Sequence, residues 1–345
     1  MQGVIEDSES LAQRVADRLF FVVGCGRSGT SLLTVMLSAH PAMIALNEVP
    51  FWHAVYRKHH RRFQRLKGER FVDAVLDQLY RCWWAQELAG DRAALRAVCL
   101  AKALPDWKDI YAGLLSLQIK DEDPQRVGEK SPSNLNYVEV LSRSFPNSQF
   151  VHIVRDPRAV LRSVLQVDRS LRQVAPIMKR WRSAVDQHLT YARHLGPGRY
   201  LLLRYEDLVR DPQCELQRVC RFMGQDYHAA MLEYHQRSEP GFSRYKSHHM
   251  ANTLNPVVAT HSDRWREELS SAQVGLVEYR CHDHMKLLGY DRTNTSVSFP
   301  QLRLAASQFL GQATLPGRWL GRRRRASRIT AELRSHLKSN ASAPD

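Results

Sequence analysis

The sequence lacks the marks of a membrane span, a disulfide scaffold and a metal cage. No apolar run approaches the ~20 residues needed to cross a bilayer, and the first one, LFFVVG from Leu19 to Gly24, has only the length of a strand. The six cysteines, Cys25, Cys82, Cys99, Cys214, Cys220 and Cys281, form no C-x-x-C pair and none of the dense spacing that staples small secreted domains, so they read as reduced thiols. The N-terminus, MQGVIEDSES, is acidic where a secretory signal would be basic. Without such a signal, the triplets Asn294-Thr295-Ser296 and Asn340-Ala341-Ser342 read as chance matches to a glycosylation acceptor. His59-His60, His248-His249 and Cys281-His282-Asp283-His284 lack structural-zinc spacing, so no metal is expected. Internal repeats and low-complexity blocks are absent too.

Acidic residues are in deficit. Fifty Lys+Arg against 35 Asp+Glu give a formal net charge of +15, which favours anionic ligands, nucleic acid or an acidic membrane face without choosing among them. At 43% hydrophobic and 25% charged residues, wholesale disorder is excluded. The 345 residues read as an N-terminal extension (1–17), one main domain (18–292) and a basic helical tail (293–345) with Ile329, Leu333 and Leu337 along one stripe. The tail fits either a solvated helix or a peripheral contact with an acidic membrane face.

Periodicity supplies the fold class. LFFVVG gives way at glycine to TSLLTVMLSAH, in which Leu32, Leu33, Met36 and Leu37 recur at helical spacing. Further strands are expected at Gln149 to Val154 and Arg199 to Glu206. They are separated by a helical segment after Pro132, a proline-started helix from Pro157 through Val167 and an amphipathic stretch from Ala175 to Leu195. Strands alternating with helices predict an α/β fold in three layers: a central parallel sheet with helices on both faces. A helix-rich insertion is expected from Phe51 to Leu117, its tryptophans in the core, and a mobile loop from Ser238 to Ser262.

The chemistry concentrates in two stretches. Gly24-Cys-Gly-Arg-Ser-Gly-Thr-Ser31 lies between a strand and a helix, where glycines allow a tight turn and the first helical amides face an anion. It resembles G-x-x-x-x-G-K-[ST], but Thr30 stands where the lysine belongs and Arg27 puts a cation inside the loop instead. The second stretch is Val151-His-Ile-Val-Arg-Asp-Pro-Arg158 and onward, with Arg155 at a strand end and Ser163 in the next helix. In doubly wound sheets, ligands gather at the carboxyl ends of strands, so Arg155 and the glycine loop would share one rim. Arg158 and Arg162 add nearby charge, and Arg155 could also simply pair with Asp156.

Together these motifs closely resemble the two cofactor motifs of sulfotransferases that use 3′-phosphoadenosine 5′-phosphosulfate, and imply that family's P-loop-like fold. The resemblance continues at Gly128-Glu-Lys-Ser-Pro-Ser-Asn134, Arg204-Tyr-Glu-Asp-Leu-Val-Arg-Asp-Pro212 and Asp263-Arg-Trp-Arg266, and covers roughly residues 18–290. It implies a loop (Gly26, Arg27, Ser28, Gly29, Thr30, Ser31) around the 5′-phosphosulfate, and Arg155 with Ser163 on the 3′-phosphate. Tyr205, Ser247 and Arg264 are implied as further cofactor contacts. The pattern is strongest for the tyrosylprotein branch, with His40-Pro41 after the loop helix and Glu48 after the next strand. By that likeness Glu48 is the general base, with Arg27 and Lys130 beside the reacting group, and a hydroxyl of a peptide tyrosine, a carbohydrate or a small molecule is the acceptor. A donor with only one 5′-phosphate has no β and γ phosphates for a loop lysine to meet, which accounts for Thr30.

His40 is a rival base, although a His-Pro at a helix end is usually structural. Two other functions compete: a P-loop kinase of a small molecule, with Asp156 or Glu129 holding magnesium, and a basic nucleic-acid-binding protein. The missing lysine counts against the first, and the absence of any nucleic-acid module against the second, so no nucleic-acid partner is expected. A cytoplasmic protein is expected, with peripheral membrane contact through the tail left open.

Overall fold

The run LFFVVG forms β1 (Leu19–Gly24), and all six of its residues are buried. Leu19, Phe21 and Val23 pack into one hydrophobic cluster, Phe20 and Val22 into another, so both faces of the strand are covered. That is why the run is continuously apolar rather than alternating. Four further strands join it: β2 (Met43–Leu46), β3 (Arg126–Lys130), β4 (Gln149–Val154) and β5 (Tyr200–Arg204). The order is β2-β3-β1-β4-β5 and every pairing is parallel. The expected three-layer α/β architecture is therefore present, with helices covering both sheet faces.

This computed structural model describes residues 11–82, 84–85, 91–119, 122–167, 174–236, 255–256 and 262–293. The chain separates into two compact units, Met1–Asn294 and Thr295–Asp345, and the second, with the tail stripe, lies outside the described residues. So does nearly all of the loop expected from Ser238 to Ser262.

Register fixes what reaches the working edge. Gly24 pairs with Ile153, Val22 with Lys130 and Leu46 with Glu129, which brings the carboxyl ends of all five strands to one rim. The chain leaves β1 toward β3 and β2 on one side and later builds β4 and β5 on the other, so the order reverses beside β1. Such a switch point opens a crevice for ligands.

Two strands escaped the periodicity reading. β2 is four residues long, and β3 reads Arg-Val-Gly-Glu-Lys, with charges where a buried strand would carry β-branched residues. Gly128 explains how β3 fits: a Cβ there would lie 2.2 Å from the Phe20 ring, so only glycine allows the neighbouring strand this close. The insertion after Phe51 is helical as expected: a π-helical turn (Trp52–Tyr56), then helices Arg57–Phe63, Gly68–Leu79, Arg92–Leu100 and Trp107–Ile119. Its described aromatics form a core, with Phe51, Trp52 and Tyr111 fully buried and Trp107 packed on Phe51, Phe63 and Phe71.

Candidate active site

The loop from Gly24 to Ser31 turns the chain from β1 into the helix Thr30–Ser38. A Cβ on Gly24 would stand 2.4 Å from the Ile153 carbonyl oxygen, so β4 pins the start of the turn. Gly29 ends it at φ +97°, a conformation that an L-residue adopts only with strain, and a Cβ there would lie 2.3 Å from the Tyr205 ring. No side chain caps the following helix, so its first amides keep their hydrogen-bonding capacity toward the crevice. Ser28 is fully buried, and its hydroxyl has no partner among the described residues.

Arg27, the loop's cation, has φ +72° and is the one non-glycine with positive φ among the described residues. Holding a long side chain there costs on the order of 1–3 kcal/mol, a strain that tends to persist at functional sites. It directs Nε to donate to Ser163 Oγ at 3.0 Å, joining the loop to the helix Pro157–Val167. Burial, with the nearby Arg155 guanidinium, pushes Arg27 below the usual arginine range, and Glu48 opposes that shift. Glu48 is therefore within electrostatic reach of the loop.

Arg155 is the first residue past β4 and is buried. Its carbonyl accepts from Trp181 Nε1 at 2.8 Å, and the next amide, Asp156 N, donates to Glu206 Oε1 at 2.9 Å. Its guanidinium lies over the Tyr205 ring, 4.1 Å from the centroid, and Nη1 donates to the Arg27 carbonyl at 3.4 Å. Its Nε is buried with no hydrogen-bond partner among the described residues. The alternative partner, Asp156, is taken by Arg158 at 2.6 Å, whose other nitrogen meets Glu278 at 2.6 Å while its guanidinium stacks on Trp265. Arg162 pairs with Glu268 at 2.5 Å. Of the three arginines in this stretch, Arg155 alone turns to the loop.

On the other side of β1, Lys130 ends β3 with its side chain buried and its Nζ donating to Glu48 Oε1 at 3.0 Å. The Glu48 side chain is 56% exposed, so this carboxylate is open to a second molecule. Beneath it, Glu129 is completely buried and accepts from Val49 N at 2.8 Å, Ser131 Oγ at 2.5 Å and Asn134 Nδ2 at 2.6 Å. Burial pushes its carboxyl up to about 7, against the Ser131 and Val49 donors and the Lys130 charge, with the Glu48 charge adding to the rise.

Each strand thus sends one group to a single rim: Glu48 after β2, Lys130 from β3, the glycine loop from β1, Arg155 from β4 and Tyr205 from β5. Arg264 is exposed at the start of the short helix Trp265–Glu268, with its charge bearing on Glu268. Ser247 lies outside the described residues. His40 is structural: Ala42 N donates to its Nδ1 at 3.1 Å, and its Nε2 donates to the Asp226 carbonyl at 2.8 Å. Cys25, inside the loop, is pushed up to about 11 by burial and stays a thiol. Among the described residues no three His, Cys, Asp or Glu side chains gather as a metal cluster.

The chain matches the sulfotransferase family over residues 20–229, more than half its length. It belongs to that family. Protein-tyrosine sulfotransferase 2 of Gallus gallus is 25% identical over 246 residues, 68% of this chain and 58% of that protein. Carbohydrate sulfotransferase 2 of Mus musculus is 25% identical over 354 aligned positions, 81% of this chain and 66% of that protein. The chain thus spans less than two thirds of each of these relatives. Among solved structures, the sulfotransferase domain of the Synechococcus PCC 7002 olefin synthase aligns with TM-score 0.51 at 24% identity, over 86% of this chain and 95% of that one. That likeness speaks for the fold alone.

Glu129 is the residue whose place in the site the sequence does not reveal; along the chain it stands out only as a magnesium ligand for the rival kinase. Its place in the Gly128-to-Asn134 motif was visible, but its partner Val49 is 80 residues away. With Asp156 held by Arg158, and Glu129 by three donors, both of the kinase's candidate metal ligands are already engaged.

Proposed function

We propose that the protein transfers the sulfuryl group of 3′-phosphoadenosine 5′-phosphosulfate to an acceptor hydroxyl, releasing adenosine 3′,5′-bisphosphate. One observation carries this reading: the glycine loop and strand-end Arg155 are joined through Arg27 and Ser163 in one crevice, with the exposed Glu48 carboxylate beside it.

The residues fit the donor. Three cations, Arg27, Arg155 and Lys130, face the rim against the exposed carboxylate of Glu48, and Ser28 Oγ and Arg155 Nε are polar atoms lacking partners among the described residues. An anion relieves both conditions. The loop amides with Ser28, Thr30 and Ser31 would hold the 5′-phosphosulfate. Arg155 would hold the 3′-phosphate with Ser163, whose hydroxyl proton stays free while its oxygen accepts from Arg27. Tyr205 backs the Arg155 guanidinium and would hold it in place for the phosphate. When bound, the donor supplies an activated sulfuryl group.

Glu48 then takes the proton of the acceptor hydroxyl as the oxygen attacks sulfur, a role worth about 10² to 10⁴ in rate. Lys130 holds Glu48 in place and, with Arg27, offsets the charge that builds on the leaving oxygen. Metal is not needed for this charge stabilisation, since two positioned cations provide it. The acceptor is a peptide tyrosine, a carbohydrate or a small hydroxyl compound. A cytoplasmic site of action, with the basic residues after 293 touching an acidic membrane face, completes the proposal; flotation with anionic vesicles tests that contact.

The experiment is a mass-shift screen in which extracts are incubated with labelled donor. Acceptors gaining label in the presence of the protein support the reading, while stabilisation by ATP·Mg²⁺ and not by the bisphosphate would replace it with the kinase.

A further inference from the structure

We infer that Glu129, in its carboxylate form, is a positioning residue that clamps the ends of β2 and β3 together and so sets the Glu48–Lys130 pair for turnover. The inference rests on the transferase reading above and deepens it.

The geometry is specific. Glu129 directly precedes Lys130, and its Oε1 accepts the amide of Val49, which directly follows Glu48. One carboxyl group thus grips the backbone next to the base and grows from the backbone next to the cation. Residues 47–50 belong to no helix or strand, and this segment is tied to the sheet through the backbone by the Val49 amide bond to Glu129 and through a side chain by the Glu48–Lys130 pair. From there the chain turns at once into the π-helical turn through Phe51 N, which donates to the Val49 carbonyl at 2.7 Å. Glu48 projects outward from this short span with its side chain more than half exposed, so its position depends on how firmly Val49 is held.

An ionised carboxylate suits the task better than any neighbour-sized alternative. Three donors converge on it: the Val49 amide, the Ser131 hydroxyl and the Asn134 amide. A carboxylate is acceptor-only and satisfies all three as they stand, whereas a glutamine requires the Asn134 amide to turn its unpartnered Oδ1 inward and a protonated acid loses one acceptor. Burial opposes ionisation and moves Glu129 to about 7, so the clamp tightens and loosens close to neutral pH. The ionisable groups facing it are Lys130 on its own strand, Glu48 from the end of β2 and Tyr111 from the helix Trp107–Ile119. Tyr111 is itself pushed well above its ordinary value by burial and stays neutral beside it.

The test uses the full chain with two readouts. The first is kcat and bisphosphate affinity across pH 5.5 to 9. The wild type should lose kcat roughly tenfold per pH unit below about 7. Ser131→Ala removes a donor that favours the charged form and should move that midpoint upward by ~0.5–1 unit. Folded Glu129→Gln should lose the limb and at least ~30-fold in kcat, with bisphosphate affinity within about twofold. The second readout is hydrogen exchange at Val49, which needs no turnover: its protection should fall as pH drops through 7 in the wild type and be absent in Glu129→Gln. A protein that binds the bisphosphate but transfers nothing would sink the transferase reading while the exchange result still judges the clamp. The clamp is overturned by an unmoved midpoint in Ser131→Ala, by normal kcat in folded Glu129→Gln, or by Val49 protection that ignores both pH and mutation. Should Glu129→Gln fail to fold, Ser131→Ala and wild-type exchange decide.

Discussion

Replacing Gly29 by alanine tests how the loop is built. Gly29 sits at φ +97°, and its added Cβ would come within 2.3 Å of Tyr205 Cδ2 and 2.9 Å of Cε2. The backbone term is about 1–2 kcal/mol for an L-residue forced into left-handed space. The contact adds a term of similar size, because the Tyr205 ring cannot retreat without disturbing the Arg155 guanidinium stacked 4.1 Å above it. A total of about 2–4 kcal/mol corresponds to a drop in Tm of roughly 3–7 °C for a domain of this size. Shifting the ring should also weaken bisphosphate binding by about tenfold or more, since Arg155 loses its backing. Gly26→Ala is the control: nothing lies within 4 Å of its Cβ, and its Tm should stay within about 2 °C. Thermal melts with and without bisphosphate, plus calorimetric titration, read all of this. Equal melts for wild type and Gly29→Ala, or equal damage from both variants, would refute the argument.

Three further outcomes are expected. Glu48→Gln should cut turnover by about 10²–10⁴ while bisphosphate affinity stays nearly constant, and normal kcat would remove Glu48 as the base. Arg158→Leu leaves Asp156 buried without its cation and Glu278 with only the more distant Arg292 and the Thr293 donors, and should cost about 3–5 kcal/mol in urea unfolding, whereas Arg162→Ala, at a partly exposed pair, should cost about 1 kcal/mol or less. Glu129 contributes a pH-dependent stability: its pKa rises from 4.5 unfolded to about 7 folded, so the native state binds the extra proton between those values. Stability should therefore fall by up to about 3 kcal/mol as pH rises through that window and level off above it, and Glu129→Gln should erase this component; identical profiles for the two proteins would contradict it.

Much of the site was legible because its signals are local. β1 and β4 are apolar runs ended by glycine or arginine, and the loop string and Arg155 follow them directly in sequence. The proline-started helix was legible for the same reason, since Pro157 opens it and Val167 closes it as expected. What stayed hidden depends on distant partners. Arg158 and Arg162 look equivalent along the chain, and it takes Glu278 and Glu268, more than 100 residues on, to claim them, together with Asp156 for Arg158. β3 was obscured because its burial is achieved by Gly128 under Phe20 and by satisfied charges rather than by apolar side chains. The positive φ of Arg27 gave no sequence signal, since arginine has no local preference for that conformation.

The most direct test of the central claim is a calorimetric titration of the protein with adenosine 3′,5′-bisphosphate, repeated on Arg155→Ala and Arg27→Ala. The account predicts one site in the wild type, weakened at least about tenfold by either substitution, since both guanidiniums face the same crevice. Wild-type affinity retained in both variants, or no binding by the wild type at millimolar ligand, would contradict it.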